Sequence, residues 1–214
     1  GSFIRIAPGS PHCINVMEIR HTLAPEMELI DAMDYMEQGS MLAGKIQQLM
    51  TFFYLLIPDM TNEEEQMLDE ALIKTYADFG ITHDNDSVYE DKTCTPPRMK
   101  RMPILGDLHK HLLESPLTER LAVIVSRFVT GSAQSFNRQT NVDLSNKYIV
   151  FDLSELKGKL LPVGMMIALD YVWDSVKSDL TKKKAVMIDE IWKLIGASSN
   201  RQAAEFCLTI LKTI

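Results

Sequence analysis

The sequence predicts an α/β fold in which parallel strands carry a large helical insertion, and three observations predict it. The run Phe3-Ile4-Arg5-Ile6-Ala7-Pro8 alternates in part and stops at a proline and glycine cluster, as a short strand entering a loop does. Residues 23–131 then follow helical periodicity, broken by Gly, Pro and Ser at intervals. Last, Tyr148-Ile149-Val150-Phe151-Asp152-Leu153, a helical stretch at 160–177 and Ala185-Val186-Met187-Ile188 give the order strand, helix, strand. Such a βαβ unit crosses over right-handedly into a parallel sheet.

Within the helical block, residues 24–36 form one moderately amphipathic pattern and residues 41–57 a second that is apolar on most sides, ended by Pro58. Thr61 with Glu64 three residues on is a capping box, and Glu63, Glu64 and Glu65 complement the dipole at the start of the next helix, which assigns them no catalytic role. Gly80 closes that helix. Residues 83–97 read as an exposed polar loop; Asp84 and Asp86 have the spacing of a calcium loop but lack its later glycine and distal glutamate. Arg98, Lys100 and Arg101 read as a solvated basic face. Residues 104–113 and 117–128 form two more helices, where His109 and His111, two apart, point to different faces and read as surface residues. Pro162 suits the first turn of the helix at 160–177.

The chain has 214 residues, 46% of them hydrophobic, enough for a core. A net charge of -7 argues against a dedicated nucleic-acid surface. Cys13, Cys94 and Cys207 are scattered and odd in number, which suits neither a disulfide framework nor a zinc site and implies a reducing, intracellular setting. His12 beside Cys13 does not make a metal site. Gly1-Ser2 reads as a cloning remnant, so the chain reads as an excised piece. Two apolar stretches, 41–57 and 160–173, fall short of the roughly 20 clean residues of a membrane span; the first is interrupted by Lys45, Gln47 and Gln48 and the second by Asp170, and both read as buried helices.

The chemistry gathers at Lys184-Ala185-Val186-Met187-Ile188-Asp189-Glu190. A short apolar run that ends in two acids suits an inner parallel strand, whose carboxyl end is where α/β sheets hold ligands. This is the pattern of a Walker B box. Asp189 would hold a magnesium shell through a water, and Glu190 would orient and deprotonate the water that attacks a γ-phosphate. The alternative is a buried strand ending at a solvated acid pair that opens a helix. Trp192 reads as a large apolar residue on a buried face, the functional alternative being that it braces the Walker B helix against the insertion. Lys182-Lys183-Lys184 lies at the opposite end of the run, as a polar loop. No G-x-x-x-x-G-K-[ST] loop occurs; Gly44-Lys45 lies inside a helical pattern.

The segments Thr140-Asn141-Val142-Asp143-Leu144, Tyr148-Ile149-Val150-Phe151-Asp152-Leu153 and Met187-Ile188-Asp189-Glu190-Ile191-Trp192-Lys193-Leu194 together resemble the ATPase domain of VirB-type conjugation ATPases, relatives of the FtsK and HerA translocases. Ile14-Asn15-Val16-Met17 resembles the segment after the phosphate-loop strand in that family, where Pro usually stands at the position of Val16. The resemblance implies a partial RecA-like P-loop NTPase core at 1–20 and 132–214 with a helical insertion at 21–131. It implies Asp189 as the magnesium-associated acid and Glu190 as the catalytic base, ATP and Mg2+ as cofactors of a longer parent, and no activity in the piece alone. It further implies a hexameric ring acting with the channel and coupling-protein subunits of a type IV secretion machine, cytoplasmic and peripheral to the inner membrane face, with direct DNA contact left open. The upstream phosphate loop and the downstream arginine and glutamine motifs have no counterpart in this sequence. A reading from another class is a non-enzymatic helical interaction module, with residues 41–57 as its docking face.

Overall fold

The computed structural model describes residues 1–20, 39–143, 146–177 and 183–189. The helical patterns expected at 24–36, 191–196 and 202–214, together with Glu190 and Trp192, lie outside the described residues.

Strand β1 (Ser2–Arg5) pairs in parallel with β4 (Ile149–Asp152), placing Ser2 opposite Ile149 and Arg5 opposite Asp152. Both strands were legible as β-rich runs, and their parallel sense gives the α/β class. Helix α1 (Met41–Leu56) begins at Ser40, whose hydroxyl accepts from the Ala43 amide at 3.3 Å. Its apolar character is spent in the core: Leu42, Ile46, Leu49, Phe52, Phe53, Leu55 and Leu56 are buried, and the helix packs on α5 (Leu160–Lys177). Lys159 donates to the Leu56 carbonyl at 3.3 Å, a cation meeting the negative end of α1.

Helix α2 (Asn62–Ala77) starts with the capping box that the sequence announces. The Glu64 amide donates to Thr61 Oγ1 at 3.2 Å, and the Thr61 amide donates to the Glu64 carboxylate at 2.9 Å. The same carboxylate accepts from Arg120 at 2.7 Å, and Arg120 also reaches Asp59 at 2.7 Å, so the start of α2 is tied to α4 (Glu119–Val129). Leu68, Leu72, Thr75 and Tyr76 form its buried stripe. Gly80, at φ +68, turns the chain after α2 in a conformation that L side chains rarely adopt. Helix α3 (Leu105–Leu112) buries Leu105, Leu108 and Leu112, and α4 buries Leu121, Ala122, Val125 and Phe128. One hydrophobic cluster runs from Ile4 and Ile6 of the β1 region through all these helices to α5. Among the described residues no helix is long and apolar enough to cross a membrane.

Three expectations change. The stretch 83–97 is not all loop: a 3-10 turn at Asn85–Val88 leads into β2 (Tyr89–Asp91), which pairs antiparallel with β3 (Arg98–Met99). Val88 supplies the apolar anchor, fully buried within an otherwise polar run. His111 is not a surface residue; its side chain is 14% exposed, with Nε2 2.8 Å from Asp78 and Nδ1 3.0 Å from Glu114. Finally, residues 183–188 carry no strand pairing. Val186 and Ile188 are half-buried, whereas Ala185 is exposed and Met187 is 95% exposed. A strand buried on both faces needs cover on both, and here only alternate residues meet the protein.

Gly131 follows α4 where the chain folds back on the helix. A Cβ there would lie 2.8 Å from both the Cα and the carbonyl oxygen of Arg127, backbone atoms that yield only by distorting the helix end. Gly131→Ala is therefore expected to lower the unfolding free energy by about 1–3 kcal/mol, measured by urea denaturation against Leu113→Ala, an exposed position expected to change it by less than about 0.5 kcal/mol.

Candidate functional site

Parallel pairing brings two strand ends to one edge. Arg5 Nε lies 3.1 Å from Asp152 Oδ2 and Nη1 lies 3.2 Å from Glu155, while the Ile6 amide donates to the Asp152 carbonyl at 3.0 Å. Hydrogen bonds from Ser154, joined by Arg5, hold the Asp152 carboxyl below its ordinary range. His12 is used structurally, with Nδ1 accepting from the Arg5 amide at 3.0 Å. Burial pushes the Cys13 thiol up to about 11, so it stays protonated.

The segment after β1 is clasped by the Thr140-Asn141 pair. The Cys13 amide donates to Asn141 Oδ1 at 2.8 Å, Asn141 Nδ2 donates to the Pro11 carbonyl at 2.7 Å, and the Asn141 amide returns a bond to the Cys13 carbonyl at 3.1 Å. One residue pair along, the Asn15 amide donates to Thr140 Oγ1 at 3.0 Å, and that hydroxyl donates to Glu18 at 2.6 Å. Asn15 itself is buried and donates its side chain to the Pro103 carbonyl at 2.8 Å. Two segments singled out in the sequence, far apart along the chain, are thus one hydrogen-bonded unit. Tyr76 fixes it to α2 by donating to the Met17 carbonyl at 2.6 Å.

Of the two acids expected to do chemistry, Asp189 is exposed and sits in a turn after the half-buried Ile188, and Glu190 lies outside the described residues. Asp84 serves the local turn: its Oδ1 accepts from the Asp86 amide at 2.9 Å and caps the 3-10 turn. Among the described residues no group of three His, Cys, Asp or Glu is placed to hold a metal ion.

Sequence reasoning missed a buried charge network between α1, α5 and residues 18–20. Arg20 reaches Asp174 at 2.6 Å, Asp170 at 3.4 Å and Glu18 at 3.4 Å, and Lys45 Nζ lies 3.6 Å from Asp170. The side chains of Lys45 and Asp170 are 5% and 7% exposed. The signal was present: one cation interrupts the apolar run of α1 and one carboxylate interrupts that of α5, and opposite charges buried on two packed helices must meet. Burial disfavours charge throughout. It lowers the Lys45 ammonium below its ordinary value, against the pull of Asp170, and it raises the Asp174 carboxyl, helped by the neighbouring charge of Asp170. Three acids facing two cations leave one acid in excess, which favours a retained proton.

No protein-family model matches the chain, and no curated protein matches it. Among solved structures it is similar to VirB4 of Thermoanaerobacter pseudethanolicus, with a TM-score of 0.77 and 27% identity over 100% of this chain and 76% of that one. The chain has a VirB4-like fold.

Lys45→Met and Asp170→Leu alone each strand a buried partner and are expected to cost about 3–5 kcal/mol, whereas the double variant costs clearly less than their sum; urea denaturation of the four proteins measures the cycle. For Asp174 the folded-state value lies above the unfolded one, so its contribution is present below the ordinary carboxylate range and lost as pH rises through the raised value. The stability of the wild type relative to Asp174→Asn should therefore fall from pH 3.8 upward, as read from urea midpoints across pH.

Proposed function

We propose that this chain is part of a type IV secretion or conjugation ATPase, in which ATP hydrolysis powers machine assembly or the transfer of DNA or protein. The observation that carries the reading is the likeness to VirB4 along the whole chain. The clasp between Thr140-Asn141 and residues 11–18 supports it, because it joins two of the segments on which the family resemblance rests. The burial of α1 against α5 supports it over the docking-module reading, since the apolar surface of that helix is already covered.

In this reading Asp189 and Glu190 serve the nucleotide. An exposed carboxylate in a turn suits a cation held through its water shell, because magnesium keeps several waters and takes only one or two carboxylates. ATP, when bound, would supply the γ-phosphoryl group that water attacks, and Mg2+ would neutralise the charge that develops on it. Asp189 contributes charge near that cation, and Glu190 accepts the proton of the attacking water and fixes its direction. The phosphate-gripping backbone loop is contributed by sequence upstream of Phe3. The parent works as a hexameric ring at the inner face of the membrane, attached through the channel and coupling-protein subunits of the secretion complex.

A chain extended upstream to include its phosphate loop is expected to hydrolyse ATP with magnesium, while residues 1–214 alone show no measurable turnover. Glu190→Gln in the extended chain should lower kcat by about 10²–10⁴-fold with nucleotide affinity retained. Undiminished turnover in that variant removes Glu190 from the role.

A further inference from the structure

The charge network holds one buried polar atom whose hydrogen-bonding capacity is unmet, beside a buried ammonium group with a donor to spare. Asp170 Oδ1 is buried and has no hydrogen-bond partner among the described residues, its other oxygen being the one that meets Arg20 and Lys45. Lys45 carries three donors on its ammonium group. It donates a long hydrogen bond of 3.4 Å to Gln48 Oε1 and lies 3.6 Å from Asp170 Oδ2. A cavity of about 10 Å³ is lined by both Lys45 and Asp170, together with Arg20, Gln48 and apolar side chains including Leu49 and Ile167.

We propose that this cavity is a binding site for one water molecule, which donates to Asp170 Oδ1 and accepts from Lys45 Nζ. Size and charge both select it. A single water needs roughly 10–15 Å³ of such space and two to four polar partners, and Asp170, Lys45 and the Gln48 amide provide them. A metal or ammonium ion would meet Arg20 and Lys45 at close range, and a halide would meet Asp170. Only a neutral molecule that donates and accepts through one small atom satisfies both sides. The bound water is then a structural member of the network: it completes the carboxylate of α5 and the ammonium of α1, and it holds the two helices at the spacing that residues 18–20 require.

A crystal structure of the chain grown from bromide-containing solution tests this. The expected result is a single density peak about 3 Å from both Asp170 Oδ1 and Lys45 Nζ, with no anomalous signal at the bromine edge. Oxygen-17 magnetic relaxation dispersion should count one more slowly exchanging water in the wild type than in Lys45→Met/Asp170→Leu. A bromide peak at the site, direct contact of Lys45 with Asp170 Oδ1 that closes the cavity, or equal water counts would each overturn the proposal. If the double variant does not fold, the wild-type crystal alone decides between these outcomes.

Discussion

The parallel pairing of β1 with β4 is the constraint on which the rest of the molecule depends. Arg5 and Asp152 stand side by side although 147 positions separate them in sequence. Closing a loop of that length costs about 4 kcal/mol of chain entropy beyond a constant term, and eight strand residues alone do not offset it. The offset comes from the single cluster that includes both Ile4 and the helices between the strands. The helices therefore do not hang from the sheet as an appendage. They supply the burial that keeps the two strands together.

The same economy governs the polar groups. A segment such as residues 11–18, with little regular structure of its own, has backbone donors and acceptors that must be met inside the protein. Asn141 and Thr140 meet them by offering side-chain atoms in the pattern a neighbouring strand would use, and Tyr76 meets one more from α2. Near this segment, Arg20 gathers the carboxylates of α5. Irregular backbone is thereby hydrogen-bonded on several sides, and it leads from the sheet edge to the helix pair α1 and α5.

Much of this was legible in the sequence because the relevant signals are local. The Thr61 and Glu64 spacing announces its helix start, Gly80 its turn, and the apolar stripes of α3 and α4 their buried faces, since each depends on residues within one or two helical turns. What was not legible depends on distant partners. Lys45 and Asp170 looked like defects in apolar helices until folding set them 3.6 Å apart. Tyr89 and Asp91 looked like part of a loop until Met99 and Arg98 gave them a strand to pair with. At residues 184–188 the apolar run read as an inner strand because periodicity cannot report whether a second face has cover; Met187 stands in solvent. The acids after it were visible as a motif, and of these the structure describes Asp189 alone.

The exposed turn between β2 and β3 adds a consequence of the topology. Residues 92–97 lie on the surface, apart from the half-exposed Pro97, in the middle of the chain between the two parallel strands. A protease that nicked the chain there would yield two polypeptides, one carrying β1, α1 and α2 and the other carrying α3, α4, β4 and α5. Both would remain interlocked through the strand pair and the shared interior, so the cleaved molecule would migrate as one species in native separation and come apart only in denaturant.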